Sequence, residues 1–438
     1  MKHLKLWTMG LFLTGSFLVL AFTSQKENKP ETDRRTHWER PKGCVFRTLF
    51  GEESSDSAFI YKTPESVVAA VTNGEAWLAN AQQENGGWGA GSHLRQQVMD
   101  PHAVPADPAT TSMVAMALLR SGNTLKSGPY SRQLENALNY LLRQVESTPD
   151  NATNITSETG TQIQTKLGGN IDVILTAQFL TTILDHLDDK PSLKERTKRS
   201  LDICIDKIQR AQNADGSIRG DGWAGVLQSS LANNALEMAQ ARGAKVDKDA
   251  LERSRNFQKG NYNTKTGDVI TGRAAGVVLY SVSGSTRASA KEARRVKEAM
   301  DEAKRKGILD DNAPASAENL QEIGFSESES EKYATAYEVY QSAKVTAQRN
   351  DVMDGFGSNG GEEFLSYLQT GESMVINKDT EWKQWYDNIS GRMIKIQNED
   401  GSWNGHHCIT SPVFCTATSL LILSINNDIE KLTRLGKE

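Results

Sequence analysis

The feature that most constrains this chain is a short turn that recurs between two kinds of helix. Its three clear copies are Gln82-Gln83-Glu84-Asn85-Gly86-Gly87-Trp88, Gln212-Asn213-Ala214-Asp215-Gly216-Ser217-Ile218 and Gln397-Asn398-Glu399-Asp400-Gly401-Ser402-Trp403. Weaker copies begin at Gln164, Gln258 and Gln348. The spacing is about 47 residues, the length of one pair of antiparallel helices. Charged, amphipathic segments cover 64–82, 131–144, 193–212, 247–258, 286–306, 330–348 and 380–397. Nearly uncharged segments cover 109–119, 173–184, 224–236, 274–282 and 413–425. An amphipathic helix has one wet side, whereas a helix apolar all round must be covered. Alternation of the two predicts a layer of enclosed helices inside a layer of exposed ones. Glycine supplies the turn conformation, and Asp or Asn caps the helix that follows. No period-two strand pattern interrupts the series, so the fold class is all-α.

Composition narrows the function. The 438 residues carry a net charge of −5, which gives no electrostatic basis for nucleic-acid binding. Hydrophobic residues at 37% exclude a polytopic membrane protein. Residues 1–24 differ from the rest: Lys2, His3 and Lys5 precede an uncharged run over 6–22, which ends in Ala21, Thr23 and Ser24. This is the pattern of a secretory leader, with an uncleaved single-span anchor as the other reading. It predicts export to a periplasmic or secreted location. Any membrane attachment would come through that leader. Residues 25–63 read as a polar tether, 64–428 as the helical domain and 429–438 as a polar tail. Of the four cysteines, Cys44, Cys204, Cys408 and Cys415, Cys204 lies in an amphipathic pattern as a core residue. Export permits disulfides without fixing their pairing.

The Gln-x-x-(Asp/Asn)-Gly-(Ser/Gly)-Trp turn resembles the QW-type repeat of squalene and oxidosqualene cyclases, and the matching repeat of protein prenyltransferase β subunits. The resemblance spans nearly the whole helical domain. It implies an α/α toroid of about six inner and six outer helices around a central cavity, holding an apolar or isoprenoid-like ligand. The family's chemistry does not carry over. Squalene-type cyclases use an Asp-x-Asp-Asp acid, whereas Asp188-Asp189 and Asp310-Asp311 both lack the Asp two residues earlier. Such cyclases also line the cavity with aromatic rings that stabilise cations, and only 7% of this chain is aromatic. Where prenyltransferases hold zinc, this chain has Asp221-Gly222-Trp223 without the cysteine and Phe414-Cys415-Thr416 without the histidine. The Cys-Gly-Glu-Gln thioester of the similarly shaped complement domain is absent as well.

All the Gln-Gly turns join the end of an outer helix to the start of an inner one, so they converge at one end of such a ring. Inner-helix N-termini gather there, and their partial positive charge favours anions. The candidates this delivers are led by His406, His407 and Cys408, since only seven histidines exist and two adjoin here. Imidazole and thiolate suit zinc, with His407 and Cys408 as ligands, or acid–base and nucleophilic work. The competing reading is a turn-capping His pair beside a Cys408–Cys415 disulfide. Glu362 and Glu363 are a paired-carboxylate candidate for acid and base, or simply complements to a helix N-terminus. Trp88, His93, His102, Asp107, Asp221, Trp223, Arg273, Asp354 and Trp403 are expected to contact a ligand. Three functions remain in play. One is an apolar-ligand toroid, catalytic or not. Another is a polysaccharide-active lyase or hydrolase, with an open groove rimmed by Trp88, Trp223 and Trp403. The third is a non-catalytic scaffold whose cavity is plugged by its own side chains.

Overall fold

A computed structural model describes residues 62–220, 222–357 and 359–437. The expected leader, nearly all of the tether, Cys44 and Asp221 lie outside the described residues. The described chain is all-helical, and strand pairing is limited to isolated bridges. In order, the α-helices are α1 Glu65–Asn80, α2 Pro108–Arg120, α3 Ser131–Ser147, α4 Gln162–Leu167, α5 Ile171–Ile183, α6 Pro191–Arg210, α7 Gly225–Ala241 and α8 Lys248–Lys259. They continue as α9 Val278–Arg305, α10 Ala317–Glu322, α11 Glu327–Ala347, α12 Asn350–Met353, α13 Gly361–Ile376, α14 Trp382–Lys395, α15 Pro412–Leu423 and α16 Ile429–Lys437. No described helix is long and apolar enough to cross a membrane.

The two kinds of helix expected from the sequence separate by burial. In α2, α5, α7 and α15 nearly every residue is buried. In α3, α6, α8 and α14 one face is buried and the other wet. The covered helices pack on one another in chain order: α2 on α5, α5 on α7, α7 on α9, α9 on α13, α13 on α15, and α15 back on α2. Their starts are well signalled. Asp107 caps α2, its Oδ1 accepting from the Thr110 N–H at 2.7 Å, and Ser411 caps α15. A proline follows each cap at the first helical position, where its missing N–H costs nothing.

Three segments differ from expectation. The inner helix expected over 274–282 and the outer helix over 286–306 are one 28-residue helix, α9, buried in its first half and charged in its second. Gly284, within this helix, is a close-packing site: a Cβ there would meet Gln258 Oε1 at 2.5 Å and Ser230 Oγ at 3.2 Å. The sixth covered helix, α13, is missing from the uncharged set because Glu362, Glu363 and Glu372 punctuate it, yet the first two are buried. The polar tail expected at 429–438 is instead the amphipathic α16, with Ile429, Leu432 and Leu435 buried against α13 and α9. Buried Arg294 fixes it by donating to the Thr433 carbonyl at 2.7 Å.

Candidate functional site

The recurring turn proves to be a clasp. Each leading glutamine donates from Nε2 to the turn glycine's carbonyl and to the next covering helix: Gln82 to Gln133 O of α3, Gln212 to Ala250 O of α8, and Gln397 to Ala70 O of α1. Gly86, Gly216 and Gly401 have φ values of 90°, 90° and 92°. A Cβ on Gly216 would lie 2.1 Å from the Arg253 carbonyl oxygen, so glycine is needed for both conformation and approach. The last residue of each turn docks on the covered helix that follows. The Trp88, Ile218 and Trp403 amides donate to the hydroxyls of Thr111, Ser229 and Thr416 at 2.9, 3.0 and 2.8 Å. The indoles of Trp88 and Trp403 are wholly buried and donate to the Leu78 and Met393 carbonyls, both at 2.8 Å.

Trp88 and Trp403 are therefore corrected from ligand contacts to structural anchors, and the groove they were expected to rim is not formed by them. The weaker copies are not clasps. Gln164 belongs to the capping box of α4, Gln258 donates to Val226 O, and Gln348 donates only to Lys344 O within its own helix.

The starts of the covered helices do gather most of the expected chemistry. Glu362 and Glu363 open α13, both buried. Tyr280, near the start of α9, donates to Glu363 Oε1 at 2.5 Å, and the Phe356 N–H donates to the same oxygen at 3.0 Å. The Ile409 N–H reaches Glu362 Oε2 at 3.3 Å. Burial, reinforced by the Glu363 charge, pushes the Glu362 carboxyl up to about 8, so it holds its proton at neutral pH. Cys408 lies half-buried beside it at φ 59°. Burial and Glu362 push its thiol up to about 11, so it is not a ready thiolate. His407 is half-buried with its ring 5.4 Å from that of Phe356, while His406 is exposed.

Lys166 was not foreseen here. It is buried, with Nζ 3.4 Å from the centroid of the exposed Trp223 ring, and His93 meets the same ring edge-on at 6.0 Å. Desolvation, then the Lys166 charge, lowers the His93 pKa. Lys166 could have been noticed as one of only two charged residues between 159 and 184. The other is Asp172, which accepts from the Ala109 N–H and Gln164 Nε2. Burial and Asp172 raise the Asp107 carboxyl to about 7.

Other candidates fall elsewhere. Asp107 is fully buried as a cap. His102 is exposed, its Nε2 3.2 Å from the Asn80 carbonyl. Arg273 bonds Ser217 Oγ at 2.6 Å and bridges Asp215 at 3.4 Å, bracing a clasp, while Asp354 pairs with Arg392 at 2.9 Å. The Cys408–Cys415 disulfide is corrected: both are free thiols, Cys415 buried in α15 with Sγ on the Ile409 carbonyl at 3.5 Å. Among the described residues no three His, Cys, Asp or Glu side chains assemble as a metal cage, so His407 and Cys408 gain no third ligand.

The sequence did not point to the opposite end of the covered helices. A cavity of about 90 Å³ lies there, lined by residues of α2, α5, α7, α9, α13, α15 and α16. Its walls are chiefly Met113, Met116, Met238, Leu231, Leu365 and Leu421. Arg120, at the end of α2, bridges Glu372 and Asp428 at 2.6 and 2.7 Å and braces its rim. No family model, no curated protein and no solved structure matches the chain.

Proposed function

We propose that the covered and covering helices form an α/α toroid of the squalene-cyclase and prenyltransferase repeat kind, and that it is an exported binding protein for an apolar ligand held at its centre. The return of α15 to α2 and the Gln397 clasp from α14 to α1 support closure of the ring. The observation that carries the ligand reading is a Met- and Leu-walled cavity drawn from all six covered helices. Its 90 Å³ is below the roughly 150 Å³ of an engineered apolar cavity that takes up benzene. The ligand is therefore slender, and the three methionines shift to admit it, as unbranched thioether chains do readily.

The test is thermal unfolding with 1-octanol, in the wild type and in Met116→Trp, which fills the cavity from a half-buried position. The wild type should gain about 3 °C at saturating octanol and the variant almost nothing. No gain in the wild type would leave the scaffold reading standing. Polysaccharide binding at the turn end is a second reading, favoured by exposed Trp223 and its neighbours Lys166 and His93. It predicts that soluble oligosaccharides change tryptophan fluorescence and that Trp223→Ala abolishes the change.

A further inference from the structure

The lining of the central cavity is not uniformly apolar, and its polar groups are mismatched in one direction. One face of α7 organises them. Ser230, Asn234 and Glu237 stand at successive helical turns, so they share a side of the helix. Ser230 donates its hydroxyl to Gln369 Oε1 of α13, and Glu237 accepts from Arg287 of α9 at 2.8 Å. Gln369 and Arg287 are thus held along the same stripe, with Asn234 between them, and all three line the cavity. Each is at least nine-tenths buried.

Within this lining, Arg287 Nε, Gln369 Nε2 and Arg242 Nε donate to nothing in the protein, against one acceptor, Asn234 Oδ1, that receives nothing. The arginine N–H groups are donors in any side-chain orientation. Buried donors without acceptors are costly and rare, and several converging on one cavity call for a partner. Charge leans the same way. The lining holds Arg120, Arg242, Arg287 and Lys431 against Glu372 and Asp428, with Arg242 paired outside the lining to Asp185 at 2.7 Å and Lys431 sharing Asp428 at 3.3 Å. Arg120 already occupies both of those carboxylates. Arg287 shares its single partner, Glu237, with Arg255, which pairs with it at 2.8 Å.

Surplus donors, together with an arginine that has only a shared carboxylate, describe a receptor for an acceptor-rich anion set in an apolar wall. We propose that the ligand of this cavity is an amphiphilic monocarboxylate, its head oxygens accepting from Arg287 and Gln369 and its hydrocarbon tail lying among the methionines and leucines. This rests on the apolar-ligand reading and sharpens it.

Octanoate and 1-octanol, matched in tail and different in head, separate the two claims in titrations of the purified protein. Octanoate should bind at least about tenfold tighter than octanol, because hydrogen bonds to a charged acceptor are the stronger kind. Gln369→Leu should lose about tenfold in octanoate affinity and keep its octanol affinity. Gln369→Glu builds a carboxylate into the site, and should reject octanoate while still binding octanol. Equal binding of the two probes in the wild type, or octanoate affinity undiminished in both variants, would overturn the proposal while leaving an apolar cavity. Binding of neither probe would mean that water alone meets the donors, and would sink the apolar-ligand reading with it.

Discussion

The two ends of the covered helices are built on opposite terms. At the turn end the clasp glutamines, the tryptophan N–H groups and the turn carboxylates of Asp215 and Asp400 are satisfied at short range, and the buried atoms left over there, Gln162 Nε2 and Glu363 Oε2, lie outside the clasps. At the other end donors are left over and the wall is soft. The end where the sequence pattern is strongest is the one that holds the chain together. The end that carries little pattern is the one with a cavity, and its unmet donors line that cavity. A repeated motif is repeated because each copy solves the same packing problem, so its residues are structural before they are functional.

The largest effect expected from this contrast is on stability at the turn end. Trp403→Ala should cost about 4 kcal/mol in chemical unfolding, since it empties a wholly buried site and removes the bond to Met393. A loss under about 1 kcal/mol would mean the clasp is not what holds that end.

Glu362→Gln sharpens the comparison through pH. The folded state holds the Glu362 proton up to about pH 8, whereas the unfolded chain releases it near the ordinary value of 4.5. The stability linked to this group is therefore full below pH 4.5 and lost as pH rises to about 8. Across that window the wild type should lose stability progressively relative to Glu362→Gln. Unfolding at pH 5, 6.5 and 8 measures it, and parallel curves would show that Glu362 ionises normally.

The smallest effect is assigned to His406, whose ring is exposed: His406→Ala should change stability by less than about 0.5 kcal/mol and leave octanol binding intact. Loss of octanol binding in this variant would return the functional site to the turn end.

Much of the helical plan was legible because burial writes itself as an absence of charge. α2, α5, α7 and α15 were found that way. α13 was not, because Glu362 and Glu363 look like surface residues until their helix start is seen to be enclosed. α16 was missed for the opposite reason: Ile429, Leu432 and Leu435 are few among charged neighbours, and only their spacing marks a packed face. The gathering of Glu362, His407, Cys408, His93 and Trp223 at one end followed from topology. Lys166 beneath Trp223 did not, since side-chain contact across helices leaves no local signature. The cavity was invisible for the same reason. Arg287, Gln369 and Asn234 are unremarkable in sequence, and become a site only when α9, α13 and α7 converge.

If the proposed function holds, one end of the covered helices is locked and the other receives a ligand. Backbone amide hydrogen exchange with and without saturating octanol tests it most directly. The account predicts added protection in 231–242, 365–372 and 429–437 and none in 404–411. Protection confined to 404–411, with the cavity segments unchanged, would contradict it.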